Sequence, residues 1–410
     1  MRRFLLIICP ALVLALLALL YLGSGLSGSR PASSSPTEPV YRLSLSCPDT
    51  PFHGDVVFVT DTGRAWSIRI DRMDLPTPPG YPSSPSSIET RWIPQAGQVE
   101  EIDEQSASWT SPPQEGAWTV AVVRRIIYRG SPSGRILQKT KPDMVLRARG
   151  EIRFLVPYTV DSVIDGKING YTVGIFPETK GPRGSGTASV PRRILQHRDA
   201  YRPPALWYRV DQSTRDLRIT PDYRLGDFDL DPRFWPEPYP HYIAIDPNLL
   251  LKLDALKERM NQDGFGIKRF DLIYGFRSPH YNLTQHHLDG NASLKSDYSV
   301  HMYGKAADIL VDRDGDLVMD DLNRDGKINI EDARVMLRYV DELDRMYIRN
   351  GSRLLGGAGV YHHHDFWERG EAAQSPYLHI DVRGFANESG LPIRWEGRNT
   401  LNQHKRADQM

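Results

Sequence analysis

Two stretches of this chain say most about its fold: Ser299–Ile309, which reads SVHMYGKAADI, and Tyr377–Arg383, which reads YLHIDVR. Each contains a short apolar run that is typical of a β-strand. Gly304 allows a tight turn from a loop into the first strand. His379 and Asp381 alternate along the second strand, so we expect both side chains on one face of a sheet.

His301, Asp308 and His379 are candidate metal ligands within these stretches. Catalytic zinc usually has three protein ligands drawn from histidine and carboxylate side chains, with the fourth position left for water. Such a site lowers the pKa of the bound water and polarises a carbonyl group, as amide hydrolysis requires. A single histidine on a strand is more often a packing residue. Because three candidate ligands occur together here, we predict a zinc site at these residues.

The pattern S-x-H-x-x-G-x-A-x-D, followed at a distance by an H-x-D strand, resembles the D-Ala-D-Ala carboxypeptidase-like zinc peptidases. That family shares its fold with the hedgehog signalling domain and the murein endopeptidases. Three more segments resemble the family in the expected order: Leu217–Phe228, Tyr274–Asn282 and Gly356–Tyr361. The resemblance covers roughly residues 205–395, and four ordered matches are far more specific than one.

The resemblance implies a role for each matching residue. His301, Asp308 and His379 would be the zinc ligands. Arg277 would bind a substrate carboxylate or the developing oxyanion, which suits a fixed, forked charge. Ser299 would support the ligand loop.

One position departs from the family pattern. Many members have a glutamate three residues before the last histidine as general base, whereas this chain has Pro376. Asp381 is the nearest substitute, either as a catalytic residue that activates the zinc-bound water or as a partner that orients His379. The resemblance therefore supports a metal site more strongly than it supports catalysis.

A second metal motif lies in the segment 312–332, which reads DRDGDLVMDDLNRDGKINIED. It fits EF-hand spacing and also resembles a dockerin calcium loop. The predicted calcium ligands are Asp321, Asn323, Asp325, Lys327 through its carbonyl, Asn329 and Asp332. Ile328 should pack inward, and the loop should stabilise a helix that begins near Ile330.

Other aspartates and histidines leave alternatives open. Four more aspartates would complete that calcium site or form a second, irregular one: Asp312, Asp314, Asp316 and Asp320. The alternative is an acidic turn that is solvated and binds no ion. Only one good copy of the loop is present, so we expect no cohesin partner. The run His362–His364 is expected to be a solvated loop.

The two halves of the chain differ in the spacing of their apolar residues. Short alternating runs from about 41 to 200 predict a β-rich domain, a sandwich or barrel without a catalytic constellation, which suits a spacer or wall-binding module. Helical spacing at Pro247–Gln262 and Ile330–Ile348, mixed with strands, predicts an α+β domain over 205–395. The expected fold class is thus an all-β domain followed by an α+β zinc-peptidase-like domain, with an N-terminal transmembrane helix.

The N-terminus predicts export. Arg2 and Arg3 precede an apolar run, Phe4–Leu22, that is long enough to span a bilayer. Residues 1–23 would be a signal anchor or, alternatively, a cleaved signal peptide, followed by a linker at 24–40. The bulk would be periplasmic or extracellular and attached to the membrane, or secreted after cleavage, and residues 396–410 would be a polar tail.

Charge and composition limit the possible functions. Lys+Arg and Asp+Glu both number 51, so the chain lacks the basic excess of a nucleic-acid-binding protein. The main expectation is a zinc peptidase that acts on peptidoglycan stem peptides. The alternatives are a metal-binding module without activity for cell-wall binding, and a calcium-dependent adhesion or scaffold protein.

Overall fold

The computed structural model describes residues 40–397 except 53, 74–77, 80, 131–141, 180–189, 231–236, 289–296 and 363–374. The predicted segment 1–23, the linker up to residue 39, the tail from residue 398, and His363 and His364 lie outside these residues. Within them, no helix has the length and apolar character needed to cross a membrane. The expected membrane anchoring is therefore not supported by the described part of the chain.

The first part of the chain forms an eight-stranded sheet. Its strands are β1 (Val40–Ser46), β2 (Val57–Phe58), β3 (Ala65–Met73), β4 (Ser87–Pro94), β5 (Gln98–Glu101), β6 (Ser106–Thr110), β7 (Gly116–Tyr128) and β8 (Met144–Val156). Their order is β4-β7-β8-β1-β3-β6-β5, with β2 beside β8. Because the end strands β4 and β5 follow each other in sequence, the ends of the sheet approach and the barrel is nearly closed. Alternate residues such as Trp66, Ile68 and Trp109 fill the interior.

Short elements lead from this sheet to the second part. They are β9 (Tyr158–Thr159), β10 (Lys167–Ile168), β11 (Tyr171–Thr172), α1 (Arg192–Gln196), β12 (Leu206–Val210) and β13 (His241–Ile243). Strands β13, β12 and β9 form a three-stranded sheet in that order. The polypeptide therefore continues as sheet across the boundary between the two parts.

Three helices and a five-stranded sheet complete the described chain. The helices are α2 (Pro247–Gln262), α3 (Pro279–Leu288) and α4 (Ile330–Asn350), and the strands are β14 (Asp271–Tyr274), β15 (Ala306–Leu310), β16 (Gly357–Tyr361), β17 (Tyr377–Asp381) and β18 (Ile393–Gly397). The strand order is β14-β15-β17-β16-β18. The bounds of α2 and α4 agree with the predicted helices to within two residues, and β15 and β17 begin within the two stretches where strands were expected.

The two faces of this sheet differ in chemistry. Alternate residues such as Ile309, Leu378 and Val360 point into the main core, to which α2 and α4 contribute apolar side chains. The intervening positions carry polar and aromatic residues on the other face. The period of two along a strand thus separates a packing face from a face that can carry chemistry.

Local capping fixes the ends of the long helix α4. Asn329 caps its N-terminus by accepting from the amide of Glu331, and the carboxylate of Asp332 accepts from the amide of Asn329. Gly351 ends the helix in the left-handed region, with φ of 61°. The expectation of a helix that begins near Ile330 is confirmed, and Asp332 lies in its first turn.

The predicted fold class is wrong, because the described chain is mostly sheet with few helices. Helical spacing was clear in only two segments, whereas strands continue through the second half from β12 to β18. The two halves also share one core: Phe58 and Leu155 cluster with Tyr208 and Ile380. The division at 41–200 and 205–395 stays a prediction.

Candidate metal centre

Three elements bring the predicted ligands together. Asp308 lies in β15 directly opposite His379 in the antiparallel partner β17. His301 comes from a single 3₁₀ turn, Val300–Tyr303, which packs beside β15 and ends at Gly304. Gly304 has φ of 67°, and a Cβ there would lie 2.5 Å from the carbonyl oxygen of Ala244. Glycine is therefore required for the turn that places His301 over the sheet.

The three side chains converge on one point. His301 Nε2 lies 3.1 Å from His379 Nδ1 and 3.3 Å from Asp308 Oδ1. His379 Nδ1 lies 2.8 Å from Asp308 Oδ1. All three residues are buried. This group of two imidazoles and one carboxylate could hold a metal ion.

The outer contacts of the histidines fix which nitrogen faces the centre. His301 Nδ1 lies 2.6 Å from the carbonyl oxygen of Gly275, which can only accept, so Nδ1 carries the proton. His379 Nε2 lies 3.2 Å from Asp381 Oδ2, so the carboxylate there accepts in the same way. When both imidazoles are neutral, two lone pairs and a carboxylate oxygen face one another. A bound cation removes that repulsion, because each of these atoms is a ligand atom.

Spacing fits a small ion. Zinc bonds of about 2.0–2.1 Å in a tetrahedron separate neighbouring ligand atoms by about 3.3 Å. Two of the three separations, 3.1 and 3.3 Å, match that value, and the third is 2.8 Å. The residues present therefore fit a zinc-sized ion without rearrangement of the strands.

Electrostatics favour the metal-binding form of His301 and Asp308 but favour the protonated form of His379. Burial, and next the charge of Arg277, lower the pKa of His301 to about 4. Burial opposes ionisation of Asp308, but the two histidines outweigh it and lower the pKa of that carboxyl. His379 has a raised pKa, since its bonds to Asp308 and Asp381 outweigh burial. A proton on His379 therefore competes with a metal ion.

Asp381 lies behind His379, on the side of the ring away from the centre. It is fully buried, and its Oδ1 accepts from the amides of Gly357 and Arg383 and from Arg383 Nε. Its Oδ2 contacts His379 and the guanidinium of Arg383. Burial opposes its ionisation, but Arg383 and His379 hold its pKa well below the usual range. Of the two predicted roles of Asp381, these contacts favour orienting His379.

Arg277 lies next to the centre. Its amide donates to the carbonyl of His301 at 3.3 Å, and its Nη2 donates to Ser299 Oγ at 3.3 Å. Its guanidinium lies 5.1 Å from the ring centroid of Tyr274. Among the described residues, its buried Nε has no hydrogen-bond partner. A buried donor without a partner is costly, so this arrangement suits an anionic group that accepts from Arg277.

The structure adds an aromatic group that the sequence did not reveal. The aromatic wall, defined as Tyr361, Tyr377 and Trp395, lies beside His379 on the same face of the sheet. The rings of Tyr361 and Tyr377 stack at 4.7 Å, and the indole of Trp395 lies 5.1 Å from the His379 ring. The alternation of Gly357 and Gly359 in β16 was the available clue, since glycine in a strand marks a close approach.

Pro376 and His362 add no acid or base at the centre. Pro376 immediately precedes β17, where a glutamate was missing from the predicted pattern. His362 Nε2 lies 3.2 Å from Glu396, and both side chains are exposed. The expectation that His362 lies in a solvated region is confirmed.

The predicted calcium loop is a compact turn before α4. Asp321 accepts from the amides of Asp325 and Gly326, and Asn323 Oδ1 accepts from the amide of Asp325. Gly326 has φ of 80°. Asp332 is fully buried and accepts from the amides of residues 322, 323 and 329. The loop thus has the tight, oxygen-rich form of the motif.

One prediction for this loop is wrong, and three of the four additional aspartates named from the sequence lie close together. Ile328 is 51% exposed and does not pack inward, since the described chain has no second such loop to cover it. Ahead of the loop, carboxylate oxygens of Asp312, Asp314 and Asp316 lie within 4.8 Å of one another. Such exposed acidic groups are common without an ion.

Comparison with known proteins gives no assignment, because no protein-family model, no curated protein and no solved structure matches the chain. The resemblance to zinc peptidases therefore stays a prediction from the sequence motifs.

Proposed function

We propose that this chain is a zinc metallopeptidase that hydrolyses peptide bonds in peptidoglycan stem peptides. The observation that carries the proposal is the convergence of His301, Asp308 and His379, with their ligand atoms 2.8–3.3 Å apart. Arg277, beside this centre, offers a buried donor to an anionic group. A metal centre next to a carboxylate-binding arginine suits a peptide with a free carboxylate or a developing oxyanion.

The ligand set favours zinc at this centre. Imidazole is a common zinc ligand, whereas calcium takes six to eight oxygen ligands. Only one of the three converging residues supplies oxygen. We therefore assign zinc to this group and reserve calcium for the oxygen-rich loop.

The chain would contribute position and charge. Bound zinc would supply an activated water and polarise the scissile carbonyl. Arg277 would hold the substrate carboxylate or oxyanion, and Asp381 would keep the His379 ring in the orientation that binds metal. With two arginines, two carboxylates and a divalent ion, the centre is net positive, which attracts an anionic substrate end.

A second candidate function is a metal-binding module without hydrolysis, for cell-wall binding or scaffolding. Two observations favour it. Pro376 supplies no general base, and both oxygens of Asp381 are already bonded to His379, Gly357 and Arg383. A carboxylate held in that way has little freedom to accept a proton from water.

We also propose a structural calcium ion in the loop formed by residues 321–332. The arrangement of Asp321, Asn323 and Asp325 around Gly326 supports it, as does the direct continuation into α4. The ion would stabilise the start of that helix.

Digestion of purified peptidoglycan tests the proposed function. The zinc-loaded full chain should release new stem-peptide fragments, and a chelator should abolish them. His301→Ala and His379→Ala should lose both zinc and activity, whereas His362→Ala should keep both. A protein that binds one zinc but yields no new fragments would refute hydrolysis and leave the binding module as the function.

A further inference from the structure

The outer face of the first sheet carries a concentration of arginines. Strands β4, β7, β8 and β1 lie side by side in that order, and their registers align outward-facing residues in two adjacent rows. The first row runs Glu89, Arg125, Arg147, Val40, and the second runs Arg91, Val123, Arg149, Arg42. We call these two rows the arginine face. It holds five arginines and one carboxylate, although the whole chain has a net charge of zero.

Strand alternation leaves these charged side chains in solvent. All five arginines are exposed. Their neighbours along the strands, such as Trp92, Ile126 and Ala148, are buried in the core of the first sheet. Because successive side chains of a strand point to opposite faces, the five guanidinium groups lie on one outer surface.

The arginine face brings like charges together. Arg125 lies directly opposite Arg147 on the antiparallel neighbour, and Arg42 is the partner of Arg149 on the parallel one. Like charges at opposite positions destabilise a sheet. A bound anion would remove this repulsion.

Internal carboxylates offset only part of the positive charge. Glu89 pairs with Arg125 at 3.0 Å, and Arg149 pairs with a glutamate two residues further along β8. The side chains of Arg125 and Arg149 are nevertheless 49% and 58% exposed. In the described part of the chain, Arg42 and Arg91 form no ion pair. The face therefore keeps a positive excess that is open to a partner.

The dimensions of the face suit an extended anion. Neighbouring strands lie about 4.8 Å apart, so Arg91 on β4 and Arg42 on β1 are separated by about 14 Å. Residues two positions apart on one strand, such as Arg147 and Arg149, are about 6.8 Å apart. One phosphate group is too small to contact arginines over such distances, whereas a chain of repeated phosphates can contact several of them.

The residue types favour a phosphate polymer without nucleobases. The planar fork of an arginine matches phosphate oxygens with two parallel hydrogen bonds. Proteins that bind single-stranded nucleic acid add aromatic rings on which bases stack. In the two rows, the only uncharged residues are Val40 and Val123, so the face offers no ring to a base.

We infer that the arginine face binds a linear phosphodiester polymer that lacks nucleobases. This binding does not depend on the metal centre. It gives the first sheet a function of its own, since a polymer held on this face keeps the whole chain at the surface that carries the polymer.

Titration of the full chain into fluorescein-labelled poly(glycerol phosphate) tests the inference. Fluorescence anisotropy should show binding that weakens as the salt concentration rises, because binding releases counterions from the polymer. In Arg42→Gln/Arg91→Gln, the slope of log Kd against log salt concentration should fall by about one unit for each arginine removed. The melting temperature of this variant should not be lower, since no ion pair is lost.

A matched variant and two competing polymers make the test specific. Arg345→Gln/Arg349→Gln removes the same charge from exposed positions of α4 and should keep the wild-type affinity and slope. Unlabelled polygalacturonate and single-stranded DNA of equal charge should compete less well than unlabelled poly(glycerol phosphate).

Four results would overturn the inference. They are an unchanged affinity and slope in Arg42→Gln/Arg91→Gln, an equal loss in the α4 variant, stronger competition by DNA, and stronger competition by polygalacturonate. Intact peptidoglycan in the digestion would sink the proposed function and leave binding at the arginine face unaffected.

Discussion

At the scale of single residues, the metal centre depends on side chains that do not face the metal. Asp381 and the carbonyl of Gly275 hold the outer nitrogens of His379 and His301, and thereby direct the inner nitrogens at Asp308. Such outer contacts set both the tautomer and the ring angle of a histidine ligand. The affinity for metal is therefore a property of this whole set.

Replacing Asp381 tests that dependence. Asp381→Asn should weaken zinc binding by roughly 10–100-fold, because the ring loses a charged acceptor. Competition with a chromophoric chelator measures the change. The matched control is Asp341→Asn, which alters a partly exposed partner of Arg394. Equal zinc affinity in wild type and Asp381→Asn would show that the carboxylate plays no part in orienting the ligand.

Sequence spacing could identify residues whose chemistry is intrinsic to their type. His301, Asp308 and His379 were predicted as a group, and they do converge. Trp395 and Gly359 could not be found in the same way. Their pairing depends on the register of β16 against β18, which no local pattern specifies.

At the scale of elements, helix α4 is tied to the sheet by buried charge as well as by apolar packing. Lys252 of α2 is fully buried and donates to Asp344 of α4 and to the main-chain oxygen of Asp381. Asp344 also accepts from Arg394 of β18. Removing one member of a buried pair leaves an uncompensated charge, so this network fixes α4 against β17 and β18.

The calcium proposal is tested at the start of α4. Calcium at one hundred times its Kd should stabilise the wild type by about 2.7 kcal/mol and raise its melting temperature. Asp325→Ala should lose that increase, whereas Asp316→Ala, in the neighbouring acidic cluster, should keep it. Circular dichroism melts with and without calcium measure both. A wild type that melts at one temperature in either condition would remove the structural role of the loop.

At the scale of the whole molecule, local pattern predicted elements better than it predicted fold class. The helices at 247–262 and from 330 were found because their period is clear. Strand partners were not, since β1 lies between β3 and β8 although they are distant in sequence. Two-residue strands such as β9 and β11 are too short to show any period, so the share of sheet was underestimated.

The two halves of the protein also meet through specific polar contacts. Tyr208 donates to the carbonyl of Val59 at 2.6 Å, and Arg218 pairs with Asp55 at 2.9 Å. These contacts join residues 149 and 163 positions apart and accompany the shared core. The nearly closed sheet is therefore packed directly against the part of the chain that carries the metal centre.

The placement of two ligands in one strand ladder determines where a metal ion would restrict the chain. Asp308 and His379 are already held together by β15 and β17, whereas His301 reaches the centre from a separate turn. Closing a loop costs chain entropy, and a tether matters more in a short turn than in strands that a ladder of hydrogen bonds already holds. Removing zinc should therefore accelerate amide hydrogen exchange at 299–304 far more than at 306–310 or 377–381. Equal acceleration in all three segments would contradict this. Acceleration confined to 299–304 would show that the ion fastens a single turn to an otherwise complete sheet.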